Sequence, residues 1–230
     1  MSERTKPAPH GWLLLDKPRG LGSTQAVGLV KRVLRQGGYA KTKVGHGGTL
    51  DPLAEGVLPI ALGEATKLAG RMLDASKVYD FTIRFGEQTD TLDTEGEVVA
   101  TSDHIPSLED IAATLPAFTG PIRQAPPAYS AIKIDGKRAY DLARAGEDVE
   151  MKLRDTTIHA LEIMEGAAQA VTLRAHVSKG TYIRSLARDI ALALGSRGHV
   201  TYLRRIKAGP FLQEQAISLD SAEEIAKGAP

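Results

Sequence analysis

Alternating apolar and polar positions predict two strands in the chain. Residues 77–85 (KVYDFTIRF) change face at every step, with apolar side chains on one side and polar side chains on the other. The apolar positions are Tyr79, Phe81, Ile83 and Phe85, and the polar positions are Asp80, Thr82 and Arg84. Residues 170–178 repeat the pattern and are expected to bury Val171, Leu173, Ala175 and Val177. A period of two is the spacing of a half-buried strand.

Shorter apolar runs predict three more strands. The run at 11–16 (GWLLLD) stops at Lys-Pro-Arg-Gly, which is typical of a turn. The runs at 57–62 and 199–207 have the length of strands. Residues 44–56, which lie between two of these elements, are rich in glycine and proline and are expected to form a loop.

Helical spacing of apolar residues predicts four helices. The first begins at a cap provided by Ser23 or Thr24 and ends at the two glycines 37–38. A short helix is expected at 65–73, and Ser107 with Asp110 three positions later opens a helix that runs to about residue 118. The fourth spans 181–194, where Arg184 lies off the apolar stripe.

The mixture of helices and strands lacks a regular β-α-β rhythm, which favours an α+β fold over a doubly wound parallel one. Residues 121–155 contain three prolines and many charges. We therefore interpret this segment as an excursion from the core, with one short helix near 138–145.

Composition excludes several classes of protein. The chain contains no run of 18 apolar residues, so no membrane span is predicted. It has no cysteine, which excludes disulfide scaffolds and thiolate metal sites, and its polar N-terminus does not have the pattern of a signal peptide. The six histidines form no metal-binding pair, and the acidic run 90–97 is interpreted as a solvated turn. A cytoplasmic protein without a metal site is expected.

Charge is distributed unevenly along the chain. Residues 1–70 contain 10 Lys and Arg against 5 Asp and Glu, whereas residues 71–165 contain 10 against 18. Residues 166–230 are again basic, with 9 against 5. If the two ends meet, they form a face suited to a polyanion such as nucleic acid; the alternative is chance clustering on solvated faces.

One carboxylate stands out in residues 44–68 (VGHGGTLDPLAEGVLPIALGEATKL). Asp51 is surrounded by apolar and small residues, which would partly desolvate it. An ionised carboxylate in such a place needs a cationic partner, and the best candidate is Arg184 at the head of the last predicted helix. The alternative for an isolated Asp-Pro pair is a simple turn.

Five collinear segments carry a resemblance to a known family. They are GHGGTLDPLAEGVLPIALGEATKL at 45–68, Lys17-Pro18, residues 77–79, APPAYSAIKIDGKRAYDLARAG at 125–146 and SKGTYIRSLARDI at 178–190, with HVTYLRR at 199–205 as an extension. Over residues 10–212 the chain resembles the TruB family of tRNA pseudouridine synthases. Gly47 and Glu55 stand where many family members have Thr.

The resemblance implies an isomerase that converts uridine 55 in the tRNA T loop to pseudouridine without any cofactor or metal. It implies that Asp51 is the nucleophile, that Arg184 pairs with Asp51, and that Tyr79 stacks on the flipped uracil. Whether Asp51 attacks ribose C1′ or uracil C6 stays open.

The resemblance adds further site residues. Tyr182 and Leu203 match pocket residues, although their spacing alone indicates core positions. His46 matches a residue that fills the space left in the T loop, and Lys17 is expected to support the active-site loop. Without the resemblance, both would be interpreted as surface residues of a loop and a turn.

The family also implies a pseudouridine synthase fold: a central, mainly antiparallel sheet flanked by helices, with an active-site cleft and a thumb-like insertion at about 121–155. Residues 1–230 are expected to form one catalytic domain without the usual C-terminal module of the PUA type. The expected partner is the T arm of tRNA, and the expected state is a monomer with no membrane partner. Two alternatives stay open: a guide-RNA-dependent relative, and a non-catalytic tRNA-binding or tRNA-folding module.

Overall fold

A computed structural model of the chain describes residues 5–130, 133–134, 137–138 and 151–228. The strands are β1 (Gly11–Lys17), β2 (Val44–His46), β3 (Glu55–Leu62), β4 (Lys77–Phe85), β5 (Glu87–Thr89), β6 (Val98–Thr101), β7 (Gly120–Gln124), β8 (Lys133–Ile134), β9 (Lys137–Arg138), β10 (Arg154–Ala167), β11 (Ala170–Val177), β12 (Gly198–Ala208) and β13 (Phe211–Leu212). The α-helices are α1 (Ser23–Gln36), α2 (Ala69–Asp74), α3 (Leu108–Thr114), α4 (Ile183–Ala193) and α5 (Leu219–Lys227). The fold is α+β, as predicted, and it divides into two compact units, 1–79 with 204–230 and 80–203.

The first unit is built around strand β3. β1 pairs with β3 in antiparallel register from Gly11 opposite Leu62 to Lys17 opposite Gly56. The short strand β2 also pairs antiparallel with β3, whereas β12 pairs with it in parallel at Glu55. β3 is buried on both faces, which is why its sequence is a continuous apolar run rather than an alternating one. The residues at 44–46, expected to be loop, are therefore a strand.

Helix α1 packs against β2 and α5 in the same unit. Its predicted extent is confirmed, but the prediction that Ser23 or Thr24 caps it is wrong. The N-cap is Gly22, whose N–H donates to the Oε1 of Gln25 at 2.8 Å. Ser23 is the first helical residue, and its hydroxyl is used elsewhere. The helix expected at 65–73 is a 3-10 turn over Gly63–Leu68 followed by α2.

The second unit contains the strand order β4, β11, β10, β7. The alternation predicted for β4 and β11 is confirmed, because Phe81, Ile83, Leu173 and Ala175 are all fully buried. On the opposite face, Arg174 forms a two-bond ion pair with Asp80, at 2.7 and 2.8 Å. The hydroxyls of Thr82 and Thr172 are hydrogen-bonded to each other at 2.8 Å. Polar cross-strand pairs thus stabilise the wetter face of the sheet.

Strand β10 was missed by sequence reasoning. It pairs antiparallel with β11 and with β7, and the register shifts twice along its pairing with β11, between 158 and 160 and between 163 and 165. Each irregularity adds a residue on one strand and breaks the period of two. The apolar positions of β10 therefore do not alternate in the sequence, although Ile158 is fully buried.

The helix predicted from Ser107 to about residue 118 is α3 followed by a 3-10 turn over Leu115–Phe118, and the helix predicted at 181–194 is α4. Ser107 caps α3, and Asp110 bonds back to the Ser107 N–H, which completes the predicted capping box. α4 buries the apolar stripe that was predicted, including Leu186 and Ile190. The short helix predicted at 138–145 lies outside the described residues. The two ends of the predicted excursion belong to the sheet, because Arg154 of β10 pairs with Gln124 of β7.

Candidate active site

The Asp51 loop, defined here as residues 47–54, connects β2 to β3 in the first unit. Leu50, Leu53 and Ala54 in this loop are buried, and Asp51 itself is half-buried. The carbonyl of Asp51 accepts a bond from the Ala54 N–H at 3.1 Å, which closes a tight turn. The structure thus anchors the loop by its apolar residues and leaves the carboxylate-bearing residue partly accessible.

Ser23 attaches helix α1 to this loop one residue before Asp51. Its Oγ accepts the Leu50 N–H and also donates to the Leu50 carbonyl, both at 2.8 Å. Ser23 is 4% exposed, so this reciprocal pair is shielded from water. The Leu50 N–H and carbonyl both depend on this one hydroxyl. Loss of the hydroxyl would leave two buried main-chain groups without a partner, so the Ser23 bonds fix Leu50 in place.

Two buried cations hold the loop, one before Asp51 and the other after it. Arg205, which is 1% exposed, donates to the carbonyls of Gly48 at 3.2 Å, Thr49 at 3.3 Å and Val57 at 2.8 Å. Lys17, at the end of β1, is fully buried, and its Nζ bonds the carbonyls of Pro18, Leu21 and Pro52. Main-chain dipoles thereby stabilise both charges, and both sides of Asp51 are fixed in place.

His46 ends strand β2 and is half-buried. Burial, together with the nearby Arg205 guanidinium, lowers the pKa of its imidazole below the usual value. Both effects favour the neutral form of the ring. Its Nδ1 accepts the Gly48 N–H at 3.4 Å, which places the ring proton on Nε2. His46 thus contributes a neutral N–H donor beside the Asp51 loop.

Local contacts explain Gly47 and Glu55, the two positions at which the resemblance leads us to expect Thr. A Cβ at Gly47 would lie 2.8 Å from the Cβ of Met72 and 3.3 Å from the Trp12 ring, so a larger residue does not fit without movement. Glu55 forms an ion pair with Arg204 at 3.2 Å, and Arg204 also pairs with Asp16 at 2.9 Å. Both departures are thus accommodated by packing and charge in the first unit.

Tyr79 is the third residue of β4 and is half-buried, unlike Phe81, Ile83 and Phe85 on the same face. Lys77, two positions earlier, is buried and donates to three carbonyls, those of Met72, Leu73 and Ala75. The start of β4 is therefore fixed by a buried ammonium. Tyr79 lies at the margin of the apolar face, where the residue is partly accessible.

Arg184 is buried in the second unit, although the sequence placed it off the apolar stripe. It is 5% exposed and forms an ion pair with Asp93 at 3.4 Å. Its guanidinium also donates to the carbonyls of Thr91 at 2.8 Å and Tyr129 at 3.0 Å. A fixed fork with several acceptors orients the guanidinium plane, which an ammonium group cannot reproduce.

Asp93 corrects the interpretation of residues 90–97 as a solvated turn. It is 1% exposed, and its carboxylate accepts the Thr91 hydroxyl at 2.6 Å and the Glu95 N–H at 2.9 Å besides pairing with Arg184. Leu92 has φ = 64°, a left-handed conformation that is costly for a residue with a branched side chain. This turn brings the Thr91 carbonyl and the Asp93 carboxylate to the same guanidinium. Sequence reasoning missed Asp93 because a dense acidic run is usually solvated.

Tyr182 immediately precedes α4 and is half-buried. Its N–H donates to the Oε1 of Gln124 at 2.9 Å, and Ser185 donates to the Ala125 carbonyl at 2.7 Å. These bonds attach the first turn of α4 to the end of β7. Leu203 on β12 is 6% exposed, as expected for the core position that its spacing indicates.

The proposed site residues are divided between the two units. The first unit brings Lys17 and His46 to the Asp51 loop and also carries Tyr79. The second unit carries Tyr182, Arg184 and Leu203. In the described residues, no group of three or more His, Asp or Glu side chains has the arrangement of a metal site.

Comparison with known families identifies the group to which this site belongs. Residues 32–183 match the family profile described as "TruB family pseudouridylate synthase (N terminal domain)". The chain belongs to the TruB family of pseudouridylate synthases. Residues 184–227 match a second profile of this family, described as "tRNA pseudouridylate synthase B C-terminal domain". The expectation of a pseudouridine synthase fold is thereby confirmed.

Curated members of the TruB family are similar over nearly the whole chain. A protein of Novosphingobium aromaticivorans named "tRNA pseudouridine synthase B" is 67% identical over 225 residues, which are 96% of this chain and 74% of the relative. A protein of Zymomonas mobilis with the same name is 60% identical over 96% of this chain and 73% of the relative. A third, of Rhodospirillum rubrum, is 50% identical over 100% of this chain and 74% of the relative.

Solved structures of related proteins share the fold. The crystal structure of a Cbf5-Nop10-Gar1 complex matches with a TM-score of 0.71 and 33% identity, over 92% of this chain and 53% of that one. The structure of an H/ACA RNP bound to a substrate RNA containing 2′-deoxyuridine matches with a TM-score of 0.68 and 31% identity, over 92% and 51%. This chain spans about half the length of these solved chains. None of the helices in the described part of the chain is long and apolar enough to cross a membrane.

Proposed function

We propose that this chain isomerises uridine 55 in the T loop of tRNA to pseudouridine. The observation that carries the proposal is the 67% identity over 96% of the chain to a protein named tRNA pseudouridine synthase B, together with an intact Asp51 loop. The basic segments 1–70 and 166–230 supply charge for phosphate contacts. The enzyme would act as a cytoplasmic monomer that needs no cofactor.

The reaction balances without any further reactant. The glycosidic bond between ribose C1′ and uracil N1 breaks, the detached uracil turns, and a bond forms between C1′ and C5. The proton lost from C5 is replaced by a proton on N1, so nothing is oxidised or reduced. The catalyst has to supply a nucleophile, a way to hold the detached base, and proton transfer.

Asp51 is the proposed nucleophile, in the covalent role that carboxylates fill in other enzymes. Its loop supports this role, because Ser23, Arg205 and Lys17 fix the main chain on both sides of it. Arg184 is the proposed partner that keeps Asp51 ionised and aimed. The attacked atom is either ribose C1′ or uracil C6.

The target base must leave the folded T loop to reach Asp51, as in other enzymes that act on bases. Tyr79 is proposed to stack on the flipped uracil, and the partial exposure of this residue is compatible with that role. Tyr182 and Leu203 are proposed to line the pocket. His46, a neutral donor, is proposed to fill the space that the base leaves, while the thumb-like insertion at about 121–155 closes over the T arm.

The direct test uses an unmodified tRNA transcript labelled with tritium at C5 of uridine. The purified chain should release tritium from one uridine per tRNA, and chemical mapping of pseudouridine should place the product at position 55. Chelation with EDTA should make no difference. Release that depends on added metal, or product at another position, would contradict the proposal.

A guide-RNA-dependent activity is the second candidate, because the chain is similar to the Cbf5 structure with a TM-score of 0.71. The same assay separates the two. A stand-alone enzyme modifies the transcript without added RNA or protein, whereas a guide-dependent one is inactive until a guide and its partner proteins are supplied. Tight binding without tritium release under either condition would favour the tRNA-binding or tRNA-folding module.

Replacing Ser23 with Ala should lower both stability and kcat. The Leu50 N–H and carbonyl would remain buried without a partner, which costs about 1–3 kcal/mol in the free energy of unfolding. Because Leu50 precedes Asp51, kcat should fall about tenfold while the Kd for tRNA stays within about twofold. Urea unfolding and single-turnover kinetics measure the two effects.

The matched control is Ser107→Ala, which removes the cap of α3 and costs about 1 kcal/mol of stability. It should leave kcat unchanged. If both variants lowered kcat equally, the effect would be a general consequence of destabilisation and Ser23 would have no special role at Asp51.

A further inference from the structure

One face of helix α1 is basic and exposed. Gly28, Lys31, Arg32 and Arg35 follow the spacing i, i+3, i+4, i+7, which places them on one side of the helix. All four residues are exposed to solvent. We name this set of four residues the α1 face.

No acidic residue of helix α1 balances the charge of the α1 face. No Asp or Glu occurs between Asp16 and Asp51 in the sequence, while seven Lys and Arg do. Among the described residues, no carboxylate forms an ion pair with Lys31, Arg32 or Arg35. The acidic residue Glu223 of α5, the helix that packs against α1, is paired with Lys227 of its own helix at 3.1 Å. The cations of the α1 face are therefore available to an anionic partner.

Gly28 provides an independent observation about this face. Glycine in a helix interior costs about 0.5–1 kcal/mol relative to alanine, so it needs a structural reason. A Cβ at Gly28 would meet nothing within 4 Å, so packing inside this chain does not require a glycine there. A glycine on an exposed face allows an external partner to lie directly against the helix backbone.

We propose that the α1 face binds the sugar–phosphate backbone of the RNA substrate. The three cations neutralise phosphates, and Gly28 gives a backbone strand room to approach the helix closely. Lys31 and Arg35 lie one helical turn apart with Arg32 beside them, which suits the regularly spaced phosphates of the proposed substrate class, tRNA. This inference rests on the proposed function and adds a docking surface to it.

The first test neutralises the three cations together, as Lys31→Gln, Arg32→Gln and Arg35→Gln. The Kd for an unmodified tRNA transcript should rise about 100-fold at 0.1 M salt, and the slope of log K against log salt should become shallower by about 2–3. kcat at saturating tRNA should stay within about twofold. The control, Arg71→Gln with Arg84→Gln, removes exposed cations that lie outside the basic segments 1–70 and 166–230, and it should change Kd less than about fivefold.

The second test replaces Gly28 with Ala and with Gln. Both residues favour helix, so the melting temperature should rise by about 2–4 °C. tRNA binding should nevertheless weaken, by about threefold for Ala and by more for the longer Gln side chain. A stabilised protein that binds its ligand less tightly cannot be explained by damage to the fold.

The outcomes separate the two proposals. Equal Kd values and salt slopes for the triple variant and its control would overturn the role of the α1 face, whether or not the wild type makes pseudouridine. An absence of tritium release with an intact effect on tRNA binding would overturn the proposed function alone. Loss of binding to anionic phospholipid vesicles, with tRNA binding unchanged, would assign the face to a membrane surface and overturn the inference.

Discussion

Replacing Asp51 with Asn should reduce turnover by about four orders of magnitude or more, to below detection in the tritium-release assay. Asn has nearly the same shape, so the loop held by Ser23, Lys17 and Arg205 should stay in place. The amide lacks both the charge and the nucleophilic oxygen that the covalent step requires. Losses of this size are typical when a nucleophile is removed.

Binding should separate the chemical role of Asp51 from a structural one. Phosphate contacts come from Lys and Arg, so the Kd of the Asn variant for tRNA should stay within about threefold. The control is Asp220→Asn, an exposed carboxylate in the first turn of α5, which should retain full turnover. Product formation by the Asp51→Asn variant at more than a trace of the wild-type rate would show that another residue is the nucleophile.

Replacing Arg184 with Lys should lower kcat about 100-fold while changing tRNA affinity little. The Arg184 guanidinium bonds the carbonyls of Thr91 and Tyr129 and pairs with Asp93 at the same time. A lysine ammonium keeps the charge but cannot present the planar fork, so the aimed geometry is lost. Hydrogen bonds to charged groups are worth about 1.5–3 kcal/mol each, and about 2.7 kcal/mol corresponds to 100-fold in rate.

Arg188 provides the control for Arg184 on the same helix. It bonds its neighbour Asp189 and the Ala125 carbonyl and is partly exposed, so Arg188→Lys should leave kcat within about twofold. Single-turnover measurements at saturating tRNA give kcat without a contribution from binding. Equal kcat values for the two Lys variants would remove Arg184 from the proposed machinery and leave it a purely structural cation.

Local patterns in the sequence were sufficient for most of the fold. The alternation in Lys77–Phe85 and in Ala170–Val177 predicted both strands and their buried faces, because one face of each packs against the core. Helix α1 was predicted by its apolar spacing and its terminal glycines, and α3 by its capping box. The segment around Asp51 predicted the candidate site, because a carboxylate surrounded by apolar and small residues is unusual.

The predictions failed where a distant part of the chain supplied a strand or a charge that pairs with the segment. β10 was missed because two register shifts break its alternation, although β11 and β7 hold it on both sides. Residues 90–97 were misread because their charge indicates solvent, whereas Arg184 draws Asp93 into the interior. The composition of a segment indicates the average environment of its residues. It does not show which single residue, such as Asp93, is buried.

The sequence by itself determined the family, the Asp51 loop and the elements that carry Tyr79, Arg184 and Leu203. Only the tertiary structure decided which groups hold those residues in place. Ser23 meets Leu50 across 27 positions, Arg205 reaches Gly48 across 157, and Arg184 bonds Thr91 across 93. Local propensity cannot select such partners. Packing of the core brings distant parts of the chain together and excludes water, and the buried hydroxyl or guanidinium then bonds the carbonyl that lies within reach.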